Sequence, residues 1–299
     1  MWKISSHFVS ILLKFVEGVL TGSSWHLYCC LSIRVPAETL ILPIVSRSRF
    51  RKMKKLLIAI LVFFAQVILA NAEDVIELQP FDHLHIYQPS GTPSAFFILV
   101  SGDGGWVRAA PDVAETFSKQ GTLVVGVEIK RYLAGVKHSK GCISVAEDLL
   151  NLSNYIQKKY SVADKKPILV GYSSGATLVY AALAQAPPGE FQGALSFGFC
   201  PDFEPAVDFC PGNGLEWTNG PVEHSVLLKP SQNIKDPWIA FQGTNDQVCD
   251  PHVTEEFAKQ VSGSQFILCP KAGHGFGHLA NWLPEFKQIW TELQAPNMQ

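Results

Sequence analysis

Six short apolar runs alternate with helix-patterned segments along most of this chain: "AFFILVS", "TLVVGVEI", "KPILVGYSSG", "FQGALSFGF", "PWIAFQG" and "SQFILCP". A strand that is apolar throughout has both faces covered, as in a parallel sheet clothed by helices. The intervening segments "PDVAETFSKQG", "SVAEDLLNLSNYIQKKY", "GATLVYAALAQA" and "VTEEFAKQV", and the closing "LPEFKQIWTEL", supply those helices. In the second of them Val145, Leu149, Leu152 and Ile156 recur on one face. The fold class is therefore α/β, a mostly parallel sheet with helices on both faces and right-handed crossovers. "VIELQPFDHLHIYQP" reads as two further short strands around Pro80. Residues 201–236 show no periodicity and are rich in Pro, Gly and Asp. A stretch that long in a compact domain is usually functional, and its place suggests a lid over a site.

The N-terminal quarter follows different rules. From Met53, Lys54 and Lys55 form a basic start and Leu56 to Ala70 is apolar except for Gln66. Ala70-Asn71-Ala72 then makes an A-x-A site before Glu73 and Asp74. That is a secretory signal peptide over residues 53–72, with an apolar run too short to span a bilayer easily. Residues 1–52 read as an extension upstream of the true start, and 73–299 as one domain exported to the periplasm.

Charge and cysteines narrow the function. Beyond residue 72 the chain carries 15 Lys and Arg against 24 Asp and Glu, a formal net charge of −9. Such a protein binds nucleic acid or anionic surfaces poorly and suits a neutral or cationic substrate. Export permits disulfides among Cys142, Cys200, Cys210, Cys249 and Cys269. Proximity in sequence suggests Cys200 with Cys210 and Cys249 with Cys269, leaving Cys142 free. No metal-ligand spacing occurs. His83 and His85 read as one face of a strand, and no cofactor is implied.

Gly171-Tyr172-Ser173-Ser174-Gly175 is a G-x-S-x-G between a buried strand and an apolar helix. In that context the motif is a nucleophile elbow, with Ser173 the nucleophile and the Ser174 N–H an oxyanion donor. A serine hydroxyl needs a base, and the partners should follow in the order acid, then histidine. Asp246 lies just past the strand "PWIAFQG", and His274 lies in the loop after "SQFILCP". Asp250 and His278 are rivals placed further from their strand ends. The loop "SGDGGW" after "AFFILV" resembles the start of a dinucleotide fingerprint, but Val107 stands where the third glycine is needed. It fits better as the other half of an oxyanion hole, through the backbone of Asp103 or Gly104.

"LVSGDGGW", "VVGVEIKRYL", "LVGYSSGA", "CPDFE" and "GHGF" together resemble the VirJ/AcvB family of bacterial virulence proteins. The resemblance runs from about residue 94 to the last helix. It implies an α/β-hydrolase fold, export to the periplasm, and hydrolysis of the aminoacyl ester of lysyl-phosphatidylglycerol. It carries the triad onto Ser173, Asp246 and His274. The segment holding Arg131 and Tyr132 departs from the family's aromatic-rich run and would line the substrate pocket. Asp103, Asp202 and Glu204, in neighbouring loops, would meet a substrate ammonium. The implied partners are a membrane lipid bearing an aminoacyl ester and, through virulence, secretion-system proteins. A general carboxylesterase or lipase is a second reading, and a non-catalytic adaptor of a secretion system is a third.

Cleavage after Ala72 makes Glu73 the first residue of the exported protein. N-terminal sequencing checks this, and a start upstream of Met53 would contradict it.

Overall fold

The computed structural model describes residues 78–294, except 108, 138–140, 163 and 206. The signal peptide and the upstream extension expected at 53–72 and 1–52 lie outside the described residues. Among the described residues no helix is long and apolar enough to cross a membrane.

Seven strands form the main sheet: β1 (Leu84–Tyr87), β2 (Ala95–Val100), β3 (Thr122–Val127), β4 (Ile168–Tyr172), β5 (Gly193–Phe197), β9 (Trp238–Gly243) and β10 (Ser264–Cys269). Their spatial order is β1-β3-β2-β4-β5-β9-β10. All neighbours run parallel except β1, which lies antiparallel to β3. Every residue of β2, β3 and β9 is buried, as their unbroken apolar runs require. Phe96, Ile98 and Val100 of β2 face one core, and Ala95, Phe97 and Leu99 face the other.

The second core is closed by α1 (Ala109–Ser118) and α6 (Leu283–Gln294), through Val113, Phe117, Phe286 and Trp290. The first is closed by α2 (Ile129–Lys137), α3 (Val145–Lys159), α4 (Ser174–Gln185) and α5 (Pro251–Ala258). Ser144 caps α3 by accepting the Glu147 N–H. Helix α4 is buried from Gly175 to Gln185, so it lies at the centre of its layer.

Around Pro80, Leu78 and Phe81 bridge across the turn and β1 follows; residues 75–77 of the other expected strand lie outside the described residues. Two features depart from the sequence reading. Helix α2 was not anticipated. It is short, and its Gly135 packs where a Cβ would come within 2.1 Å of the Pro80 carbonyl oxygen. Residues 201–236, read as an unpatterned lid, contain a second sheet. Its strands β6 (Asp202–Phe203), β7 (Trp217–Asn219) and β8 (Val226–Leu228) are antiparallel in the order β6-β8-β7. Phe203, Phe209, Leu215, Val226 and Leu228 enter the first core, so the segment buttresses the helical layer. Tyr180 of α4 anchors it, donating to the Lys229 carbonyl (3.0 Å) and accepting from the Ser231 N–H (2.8 Å).

The disulfides also differ from the pairs suggested by proximity. Cys142 bonds Cys210, and Cys200 bonds Cys249, while Cys269 is a free buried thiol. Burial, with Glu285 nearby, pushes that thiol up to about 12, which removes it from thiolate chemistry. The bonds span 68 and 49 residues. In the chain-entropy account each contributes about 4 kcal/mol. Non-reducing peptide mapping should recover Cys142–Cys210 and Cys200–Cys249 with Cys269 alkylated only after unfolding; a Cys249–Cys269 peptide would contradict this arrangement.

Candidate active site

The turn between β4 and α4 holds Ser173 at φ 54°, ψ −125°. A serine there costs about 1–3 kcal/mol and persists only where its surroundings enforce it. They do so by close approach. A Cβ on Gly171 would come within 2.2 Å of the Gly175 carbonyl oxygen. One on Gly175 would come within 2.4 Å of the Val100 oxygen, and one on Gly102 within 2.9 Å of Ser173 Cβ. Only glycine at these positions lets strand, helix and loop meet. The Ser173 N–H is already taken by the Phe197 carbonyl (2.8 Å), which ties the turn to β5.

Ser173 Oγ lies 2.9 Å from His274 Nε2, and His274 Nδ1 lies 2.9 Å from Asp246 Oδ2. The three residues singled out in sequence thus form one hydrogen-bonded chain across three loops at the carboxyl ends of β4, β9 and β10. Gly198, at φ 64°, is packed against the imidazole, where a Cβ would stand 3.2 Å from Cε1 and Nδ1. The Tyr172 ring centroid is 5.6 Å from that of His274. The rivals have other places: Asp250 caps α5 by accepting the His252 N–H (2.9 Å), and His278 is exposed.

Asp246 is buried, which by itself would raise its pKa. The hydrogen bond from His274 and the N–H groups of Cys249 and Val248 outweigh burial and hold the carboxyl below its ordinary value. Gln242 Nε2 also donates to Oδ2, at 2.9 Å. Sequence reasoning missed Gln242. Its signal was present, as the one strongly polar side chain inside "WIAFQG".

The loop 101–107 lies against this elbow. Gly105, at φ 79°, donates to the Gly102 carbonyl and closes a tight turn. Trp106 pins the loop to the sheet: its ring stacks on His85 at 4.5 Å, lies over Gly126, and its Nε1 donates to Tyr87 Oη (3.2 Å). The N–H groups of Asp103, Gly104 and Ser174 donate to no described residue. They stand beside the nucleophile as candidate oxyanion donors. The Asp103 carboxylate accepts a hydrogen bond from Ser174 Oγ.

The remaining residues expected to touch substrate are dispersed. Tyr132 is a correction: it is 1% exposed, stacked on Phe81, and donates to Asp148 Oδ2 at 2.8 Å. Alternation on α2 places it in the core, beyond the reach of a ligand. Arg131 is exposed and pairs with Asp82 (3.2 Å) and Glu128 (3.5 Å). Asp202 lines a separate cleft of about 310 Å³ with Pro201, Leu227, Val248 and Val253, and Glu204 is exposed just past β6. Among the described residues no cluster of His, Cys, Asp and Glu could hold a metal ion.

Residues 94–196 match the family model of the bacterial virulence protein VirJ. The matched segment makes up about a third of the chain. It carries the loop 101–107, β2 to β5 and the Ser173 elbow, while Asp246 and His274 lie beyond the VirJ match. None of the curated proteins matches the chain by sequence. Among solved structures the chain is similar to Est1E from Butyrivibrio proteoclasticus, at 15% identity and a TM-score of 0.51, over 74% of this chain and 98% of Est1E. It is similar also to an α/β serine hydrolase homologue from Coxiella burnetii, at 18% identity and a TM-score of 0.50, over 74% and 96%. These likenesses show the α/β-hydrolase fold.

Because the Asp246 carboxyl is held below its unfolded value of about 3.9, its contribution to stability is complete above that pH. It is lost as pH falls through the folded value. Chemical denaturation between pH 3 and pH 7 should therefore show a shallower acid decline in Asp246→Asn than in the wild type; parallel curves would contradict the assignment.

Proposed function

We propose that the protein is a serine ester hydrolase. The observation that carries this is the chain Asp246–His274–Ser173, with both spacings at 2.9 Å, on an α/β-hydrolase fold. In the reaction Ser173 Oγ attacks the ester carbonyl while His274 Nε2 takes its proton. Asp246 holds the Nδ1–H tautomer and stabilises the imidazolium. The N–H of Ser174 and one from Asp103 or Gly104 receive the oxyanion, each such donor contributing about 3 kcal/mol. His274 then protonates the leaving alcohol. Water, activated by the same imidazole, frees the acid and restores Ser173.

The finer reading is an aminoacyl ester of a membrane lipid, lysyl-phosphatidylglycerol or a relative. The Asp103 carboxylate supports it. A fixed negative charge beside an oxyanion site opposes the developing oxyanion unless a substrate cation stands between them. The ammonium of an aminoacyl group has that place. Two disulfides support an oxidising compartment such as the periplasm.

A fluorophosphonate probe should label the wild type at Ser173, and Ser173→Ala should lose labelling and at least about 10⁴-fold in kcat. Absent labelling, or labelling that persists in Ser173→Ala, would overturn the hydrolase reading. Release of lysine from lysyl-phosphatidylglycerol in mixed micelles, weakened in Asp103→Asn more than release of acid from a neutral aryl ester, tests the substrate. Equal effects on both esters would leave only the general esterase.

A further inference from the structure

Gln242 is fully buried near the end of β9, after Trp238, Ile239, Ala240 and Phe241. Its Nε2 carries two hydrogens, and both are engaged. One goes to Asp246 Oδ2 at 2.9 Å and the other to the Cys249 carbonyl at 2.7 Å. Its Oε1 is buried with no hydrogen-bond partner. The reversed amide would set that oxygen against two acceptors, so the bonding itself decides the orientation. An unpartnered buried oxygen is unfavourable, and an apolar side chain of similar length would fill the position without it. Packing therefore does not account for a glutamine here, whereas its donors do.

Four donors surround the Asp246 carboxylate. The N–H groups of Val248 and Cys249 meet Oδ1, both at 2.9 Å. His274 and Gln242 share Oδ2. We propose that Gln242 is a positioning residue for the acid–base pair. It orients Asp246 and, by sharing Oδ2, limits how strongly that carboxylate holds a proton on His274. The proposal rests on the serine-hydrolase reading. A donor on Oδ2 draws charge from the oxygen that faces the imidazole. Without it the imidazolium is favoured, and a protonated His274 cannot accept the Ser173 proton.

The groups facing His274 are few. Asp246 meets Nδ1, the Ser173 hydroxyl meets Nε2, and Gly198 and Tyr172 pack on the ring. Asp103 on the oxyanion loop, Asp250 at the start of α5, and Lys271 and His278 on the imidazole's own loop are exposed. Their fields are screened by water and are unchanged by a substitution at Gln242.

The test is Gln242→Met, which removes both donors while keeping an apolar chain of similar length, with Gln242→Leu as the second variant. The imidazole of His274 is titrated by NMR through its Cε1–H, and the pH profile of kcat/KM is measured on a small aryl ester. The expected result is a His274 titration midpoint raised by about half to one pH unit. The acid limb of kcat/KM moves the same way, and kcat at neutral pH falls several-fold, by up to about 10-fold, with KM unchanged. Midpoints and limbs coincident with the wild type in both variants would overturn the proposal, whatever happens to stability. Failure of both variants to fold would assign Gln242 a structural role and overturn it as well. The titration needs no turnover, so a wild type that no fluorophosphonate labels would count against the hydrolase reading alone.

Discussion

The conformation of Ser173 depends on an approach too close for side chains. The carbonyls of Val100 and Ser101, the Cα of Gly175 and the turn at Ser173 occupy a volume in which no Cβ fits. That crowding holds a non-glycine residue at φ 54° against a cost of about 1–3 kcal/mol. The strain is sustained by the fully buried strands on either side, which cannot yield without exposing two cores. It sets the Ser173 hydroxyl at the edge of the sheet beside the first N–H groups of α4, which have no intrahelical acceptor. The oxyanion loop inherits its position from the same contact, through Gly102 against Ser173, and from Trp106 lying over Gly126.

The acid side of the site is held differently, by polar bonds and a covalent link. Gln242, Val248 and Cys249 hold Asp246, and Cys249 is bonded to Cys200. Cys200 follows the Gly198 turn that lies against His274. The loops after β5 and β9 are therefore joined within a few residues of the acid–base pair. On the other flank Cys142–Cys210 and Gln185, which donates to the carbonyls of Ile143 and Cys210, secure the small sheet to α3 and α4. What reads as a long irregular segment is thus a brace for the helix that carries the nucleophile.

The central strands of the main sheet were legible because burial on both faces demands largely apolar runs, and β2 to β5 and β9 have them; β10, an edge strand with Gln265 and Leu268 exposed, carries such a run although it is buried only in part. The elbow was legible because it needs glycines at fixed offsets from a serine. The small sheet was not, since strands of two or three residues are too short to display a period and its ordering comes from Tyr180 and the disulfides. Helix α2 was obscured by Gly135, whose reason is the distant Pro80 carbonyl. Tyr132 was placed among substrate contacts by its neighbours in sequence. The helical turn carries it instead to Phe81 and Asp148.

By itself the sequence determined a parallel α/β sheet, a serine at a strand-to-helix turn, and an acid and a histidine at later strand ends. Each of these rests on local rules of period, glycine and strand boundary that act within about ten residues. Only the tertiary structure decided which cysteines pair, that Tyr132 is core and Asp250 a helix cap, and that Gln242 and Gly198 belong to the site. Those outcomes depend on contacts between segments far apart in the chain, such as Cys142 with Cys210 or His274 with Ser173. No local pattern encodes a distance in space.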